Sequence, residues 1–216
     1  MVKLPKSFWL IAPFATWMAL MTVLPATVGG YAVRTAVTAA MLVAGWWQGL
    51  ETLDDRRETG LPSLVSRPLK SFVSRLKSSL LPGLLVGLAV FAIWILPEQF
   101  DWAWYRKWCI IGEGGTQAVA EASAVMIAIR LIGSAFVISV AEELFFRKWL
   151  IGFAGFWPMV VLFAVEHDRW LVAAICGVAY GWLYLRKGLG AAIVAHATTN
   201  LVLGLWVLKT GQWQFW

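Results

Sequence analysis

Residues Leu131–Ile151 read LIGSAFVISVAEELFFRKWLI. As a helix rising 1.5 Å per residue, this stretch is about 32 Å long, close to the thickness of a bilayer's hydrocarbon core. Nothing before Glu142 is charged, yet Glu142, Glu143 and Arg147 follow within one and a half turns. Ionisable groups at such depth are costly, so they are paired, functional or both. The stretch therefore reads as a membrane span that carries chemistry, and the remaining chain must supply the walls around it.

Composition agrees. Of 216 residues, 60% are hydrophobic and only 14% charged, and the mean hydropathy is +0.72. Soluble domains carry roughly 25% charged residues. This excludes a soluble enzyme, a disordered protein and a disulfide-stapled secreted domain. Fifteen tryptophans suit membrane–water interfaces. Cys109 and Cys176 have no metal-ligand spacing. The expected fold is all-α: a polytopic membrane helical bundle of about seven spans, some short or broken, forming a single domain over residues 1–216. The spans read Phe8–Val28, Tyr31–Leu50, Leu80–Pro97, Leu131–Ile151, a short Phe156–His167, Trp170–Leu185 and Leu189–Leu208. The first is too long for a signal-peptide core and reads as an uncleaved anchor.

Placing the N-terminus inside puts twelve of the eighteen Lys and Arg residues on one side. The positive-inside rule then makes that side cytoplasmic, with the C-terminus outside, as in a bacterial inner membrane. A net charge of +6 would suggest nucleic acid in a soluble protein. Here the basic residues flank spans, so the expected partner is the lipid bilayer and no nucleic acid. The long polar stretch 51–79 reads as a cytoplasmic loop. Within it Leu69, Phe72, Val73, Leu76 and Leu80 make one apolar face, with Lys70, Arg75 and Lys77 between them. That is the pattern of a basic amphipathic helix on an anionic leaflet. The outer aromatics Trp102, Trp104, Tyr105 and Trp108 read as an interfacial belt.

Polar groups within the spans cluster in the last third: Glu142, Glu143, Arg147, His167, His196 and Asn200. Glu143 and Arg147 are four residues apart on one helical face and are expected to pair with each other and not with a His. Glu142 points about 100° away and is free to face a cavity. Glu142 and His167 lie at similar separations on either side of the Gly152–Gly155 turn. His196 and Asn200 follow the Arg186–Gly188 turn at a matching depth, on the order of 15 Å. The four groups are expected to surround one cavity, opening on the side of those two turns. The run Glu166-His167-Asp168-Arg169 implies that the fifth segment is a half-span whose break lines protein or water.

Three short motifs carry a resemblance. Glu142-Glu143-Leu144-Phe145-Phe146-Arg147 reads as EExxxR, Phe163 to His167 as FxxxH, and His196 to Asn200 as HxxxN. In this order, within membrane segments, they resemble the type II CAAX prenyl protease and bacteriocin-processing family (CPBP, or Abi) of intramembrane proteases. The likeness covers about residues 121–208, a protease-like motif core. A narrower resemblance, on Glu166 to Trp170 and Trp213 to Trp216, is to CAAX-protease-related proteins of bacterial exosortase systems. Glu166 departs from the broad family, which has a small or apolar residue there.

The resemblance implies an endopeptidase acting on a membrane-associated peptide or protein, with exosortase components as candidate partners. Glu142 would be the base that activates water and His167 would orient that water. His196 and Asn200 would donate to the oxyanion, while Glu143 and Arg147 would be structural. No cofactor is then needed. The same atoms allow a zinc reading, with Glu142, His167 and His196 as a three-ligand set. Three other classes use these groups: inert helix packing, a non-catalytic scaffold or immunity-type protein with the same fold, and a proton-coupled transporter.

Overall fold

In the computed structural model, residues 4–25, 27–48, 69–111 and 123–215 are described. Eight helices run through them: α1 Lys6–Val23, α2 Val28–Trp47, α3 Leu69–Gln99, α4 Ala103–Cys109, α5 Ala124–Ala154, α6 Phe156–Val165, α7 Trp170–Lys187 and α8 Leu189–Thr210. A single 3-10 turn, Trp213–Phe215, follows. No strand occurs among the described residues, and the all-α expectation holds. Four helices are long and apolar enough to cross a bilayer: Lys6–Val23, Ser79–Gln99, Ala124–Ala154 and Leu189–Thr210. With 20 and 18 residues, α2 and α7 are nearly as long. The ten-residue α6 covers about 15 Å, half a span.

The basic stretch expected as a separate surface helix continues directly into the third span, so that α3 is one helix of 31 residues. That is about 46 Å, longer than a hydrocarbon core, so one end of α3 projects beyond it. Residues 51–68 of the expected loop, and the side chains of 69–78 that would form its apolar face, lie outside the described residues.

Contacts between elements far apart in sequence define two ends of the bundle. At the N-terminal end, the Leu4 amide donates to Gln48 Oε1 at 3.2 Å. The chain also reverses there at Gly155 (φ 95°) and Gly188 (φ 90°), left-handed positions that glycine tolerates. At the opposite end, Gln99 Nε2 donates to Gln212 Oε1 at 2.5 Å and Tyr31 Oη donates to the Arg130 carbonyl at 3.3 Å. Above the short α6 the connection through α4 descends to fill the gap. Ile111 N donates to the Asp168 carbonyl at 2.9 Å and Trp170 Nε1 to the Trp108 carbonyl at 2.9 Å. Trp102, Trp104 and Trp108 are exposed, as a belt requires, but Tyr105 is buried with Cys109 and Val172.

The closest helix pair is α3 with α8, and small residues make it. A Cβ at Gly83 would lie 2.7 Å from Val194 Cγ1, and one at Gly87 only 2.5 Å from the Ala195 carbonyl oxygen. Gly83 and Gly87 are four apart and face Ala191 and Ala195, so the backbones approach as in small-xxx-small membrane packing. Thr199 Oγ1 donates across this seam to the Gly87 carbonyl at 2.9 Å. The seam fixes α8, and therefore His196, relative to the rest.

Candidate active site

Helix α5 is not uniformly α-helical. Residues Gly133–Ile138 and Glu143–Leu150 take the wider π form. Such turns rotate less per residue and recur at functional sites. The second one starts at Glu143, directly after Glu142. Glu143 Oε1 lies 3.1 Å from Arg147 Nη1, and the same oxygen lies 2.8 Å from His196 Nδ1. The expectation that Glu143 pairs with Arg147 and not with a His is therefore corrected: it pairs with both. His196 also turns its other nitrogen to Glu142, with Nε2 3.8 Å from Glu142 Oε2.

Arg147 and Glu143 have no exposed surface at all. The guanidinium carbon lies 4.2 Å from the centre of the Phe163 ring, 5.4 Å from Tyr180 and 5.7 Å from Phe146. The π-faces and one carboxylate compensate this buried cation in part, while its three nitrogens and Glu143 Oε2 make no hydrogen bond. A carboxylate oxygen accepts, so the Nδ1–H of His196 is the donor in its hydrogen bond to Glu143. Tyr180 stacks on the His196 imidazole at 5.0 Å and donates its own hydroxyl to Thr199 at 2.6 Å, which fixes the ring plane.

Above this sealed layer lies a cavity of about 270 Å³. Glu142, His167, His196 and Asn200 all line it. Glu142 is buried and its Oε2 has no hydrogen-bond partner. His167 makes a 2.8 Å hydrogen bond from Nδ1 to the Phe163 carbonyl, one turn back on α6. Nδ1 must be the donor to that carbonyl, so Nε2 carries the lone pair. Asn200 Nδ2 donates to the Ser134 carbonyl at 2.9 Å and to Ser139 Oγ at 3.1 Å. Both amide hydrogens are thus directed at Ser134 in the first π-segment and at Ser139 just after it, and none is left for an oxyanion.

The mouth differs from expectation. The walls include Trp17, Tyr31, Trp94, Arg130, Ser134 and Phe215. These come from the ends of helices away from Gly155 and Gly188. Towards those turns the space is filled by Phe146, Met159 and Leu183, each at most 2% exposed. The cavity therefore opens on the C-terminal end of the bundle, opposite the N-terminus and the Arg186–Gly188 turn, and not on the side of the two turns. Matched depth places groups at one level but says nothing about which half of the bundle holds the bulky side chains.

A group able to hold a metal ion exists among the described residues, but it is Glu142, Glu166 and His167, with ligand atoms within 4.8 Å of one another. His196 is not part of that group. Glu166 Oε2 lies 3.2 Å from His167 Nδ1. The sequence reading noted Glu166 only as a departure. It overlooked two further features. Glu98 and Arg169 form a buried ion pair at 2.5 Å, and Phe215 lies 4.8 Å under the Arg169 guanidinium, bringing the C-terminal turn onto the cavity wall. Glu98 sits beside Pro97 at the end of an apolar run, a position that reads as an interface residue.

No curated protein and no solved structure matches the chain. A family model does match, over residues 124–202: type II CAAX prenyl endopeptidase Rce1-like. The match runs from the start of α5 to just past Asn200 and so contains all three motifs and every side chain of the sealed layer. Over those residues, about a third of the chain, the protein is similar to the Rce1-like type II CAAX prenyl endopeptidases.

Proposed function

We propose that the protein is an intramembrane endopeptidase that hydrolyses a peptide bond of a membrane-associated substrate with water activated by Glu142. The observation that carries this is the unpartnered Glu142 carboxylate in a cavity shared with His167 and His196. Glu142 takes a proton from a water as that water attacks the scissile carbonyl. His167 accepts the water's second hydrogen at Nε2, whose lone pair its Nδ1 bond to Phe163 leaves available. His196, held by Glu143 at Nδ1 and facing Glu142 with Nε2, is placed to donate to the developing oxyanion. The proton on Glu142 finally passes to the leaving amine. Asn200 acts through Ser134 and Ser139, holding the π-segment that carries the cavity wall.

A second reading rests on the Glu142–Glu166–His167 group. Two carboxylates and an imidazole suit a divalent cation, which would polarise the carbonyl and acidify a bound water. His196 would keep its role in either case. The substrate is a membrane-embedded or membrane-bound peptide, and the narrower resemblance points to a client of an exosortase system.

The test uses the full chain reconstituted in liposomes with a set of internally quenched apolar peptides. Cleavage by the parent protein and its loss in Glu142→Gln support the reading. Peptides left intact by the parent, together with a Glu142-dependent proton flux, would instead identify a transporter. A metal requirement is read by dialysis against a chelator and by metal content in Glu166→Gln.

A further inference from the structure

The turn that follows α8 reaches back into the cavity. Helix α8 ends at Thr210, Gly211 takes a left-handed conformation (φ 70°), and Trp213–Phe215 forms one 3-10 turn. Phe215 is buried and lines the same cavity as Glu142 and His167, at its mouth. It clusters with Ile95, Leu203 and Val207, and Trp94 packs against that cluster. Trp94 in turn meets the His167 ring edge-on, with centroids 5.8 Å apart. The Arg169 guanidinium carbon lies 4.8 Å from the centre of the Phe215 ring, and Glu98 pairs with that cation. Phe215 therefore fills an apolar seat next to a hydrolytic residue.

Side chains hold the turn in place. Gln99 and Gln212 exchange amide hydrogen bonds at 2.5 and 3.4 Å, and the contact of Arg169 with Phe215 adds a cation–π attraction. The backbone bonds of the turn are local: Gly211 N to the Val207 carbonyl, Trp213 N to that of Gly211, and Phe215 N to that of Gln212. Rotation about φ and ψ of Gly211 leaves all three intact, and glycine is the residue that rotates there at least cost. The turn can thus swing as a unit at the expense of side-chain contacts. We infer that residues 211–215 form a strap that closes the mouth, with Phe215 seated where a large aromatic side chain of the substrate binds, and that the strap lifts at Gly211 to admit it. Apolar walls with a guanidinium over the ring face suit an aromatic visitor best. The inference rests on the endopeptidase reading for the nature of that visitor, but the strap is tested without turnover.

The experiment fastens the strap and reads access to the cavity behind it. The full chain in nanodiscs, carrying Cys109→Ser and Cys176→Ser, receives Gln99→Cys, Gln212→Cys and Leu203→Cys together. Leu203 lies two turns from His196 toward the mouth, about 10 Å. A brief pulse of a short bis-methanethiosulfonate bridges the two outer thiols, and a monofunctional reagent caps them without bridging. A bulky maleimide follows, and mass spectrometry reads its attachment at position 203. The capped protein should label about 10-fold faster than the bridged one, because only it opens, and reducing the bridge should restore the rate. Phe215→Ala should speed labelling of the capped protein, while Trp104→Ala, exposed at the same end, should leave it unchanged. Equal rates in bridged and capped protein, or no labelling in either, would overturn the inference. The seat is read by peptide affinity in the Glu142→Gln background. An amidated apolar decapeptide with a central Phe should bind the capped protein on the order of 10-fold more tightly than its Ala counterpart. The bridged protein should show no such preference. Equal affinity of the two peptides for the capped protein would remove the seat. Hydrolysis is read separately with Glu142 present. Cleavage undiminished by the bridge removes only the strap, and gated binding without cleavage removes only the endopeptidase reading.

Discussion

Glu142 and Glu143 are neighbours in the chain, yet they occupy opposite kinds of surroundings. Around Glu143 opposite charge is close by and solvent is absent: Arg147 lies on one side, His196 on the other, and the rings of Phe163, Tyr180 and Phe146 enclose them, although Glu143 Oε2 and the Arg147 nitrogens make no hydrogen bond. Around Glu142 there is open volume and an oxygen with no partner. The first arrangement can hold a shape but does not line the cavity, so no substrate or water in that space reaches it. The second costs stability and is therefore informative about function. The sealed layer is the floor on which the open one stands, since His196 belongs to both.

Removing a member of the floor should give the largest loss of stability. Arg147→Ala strands two buried ionic groups, and breaking such a pair costs about 3–5 kcal/mol. Its unfolding midpoint in detergent should fall by many degrees, and an unchanged midpoint would mean that the layer is not sealed. Next comes the α3–α8 seam. Gly87→Val pushes a branched side chain into the Ala195 carbonyl, and overpacking of this kind costs about 1–3 kcal/mol. Thermal unfolding measures the loss. A valine tolerated without cost would show that the seam is loose and that His196 is placed by something else. Ser139→Ala, which removes one of the two acceptors of Asn200, should cost only about 1 kcal/mol. A much larger loss would move Asn200 from the open region to the floor.

The direction of the opening separates the two regions in space and is tested by thiol labelling in a Cys109→Ser, Cys176→Ser background. Leu203→Cys, on the cavity wall, should react with impermeant reagents from the same membrane side as Thr210→Cys. Reaction from the side of Lys187→Cys would invert the account of floor and mouth.

Hydropathy located the spans because a bilayer demands long apolar runs, and the polar run at Glu166–Arg169 foretold the half-length α6. The motif residues were identifiable because ionisable groups are rare at that depth. Three features had no such signal. The π-turns of α5 leave no composition mark, so ideal helical phase kept Glu143 from His196. The mouth depends on side-chain volume: Gly133, Ser134 and Gly204 lie toward one end, while Phe146, Met159 and Leu183 fill the other. The pairing of Glu98 with Arg169 joins residues 71 positions apart, which no local pattern encodes.

The central claim is a division of labour between adjacent glutamates, and the most direct measurement takes Glu142→Gln and Glu143→Gln side by side, reading peptide cleavage and unfolding midpoint for each. The account predicts that Glu142→Gln loses about 10²–10⁴-fold in cleavage, the usual worth of a positioned base, with its midpoint unchanged or raised. Glu143→Gln should lower the midpoint first, because Arg147 is left without its anion. A Glu142→Gln protein that still cleaves at the parent rate, or a Glu143→Gln protein as stable as the parent, would contradict it.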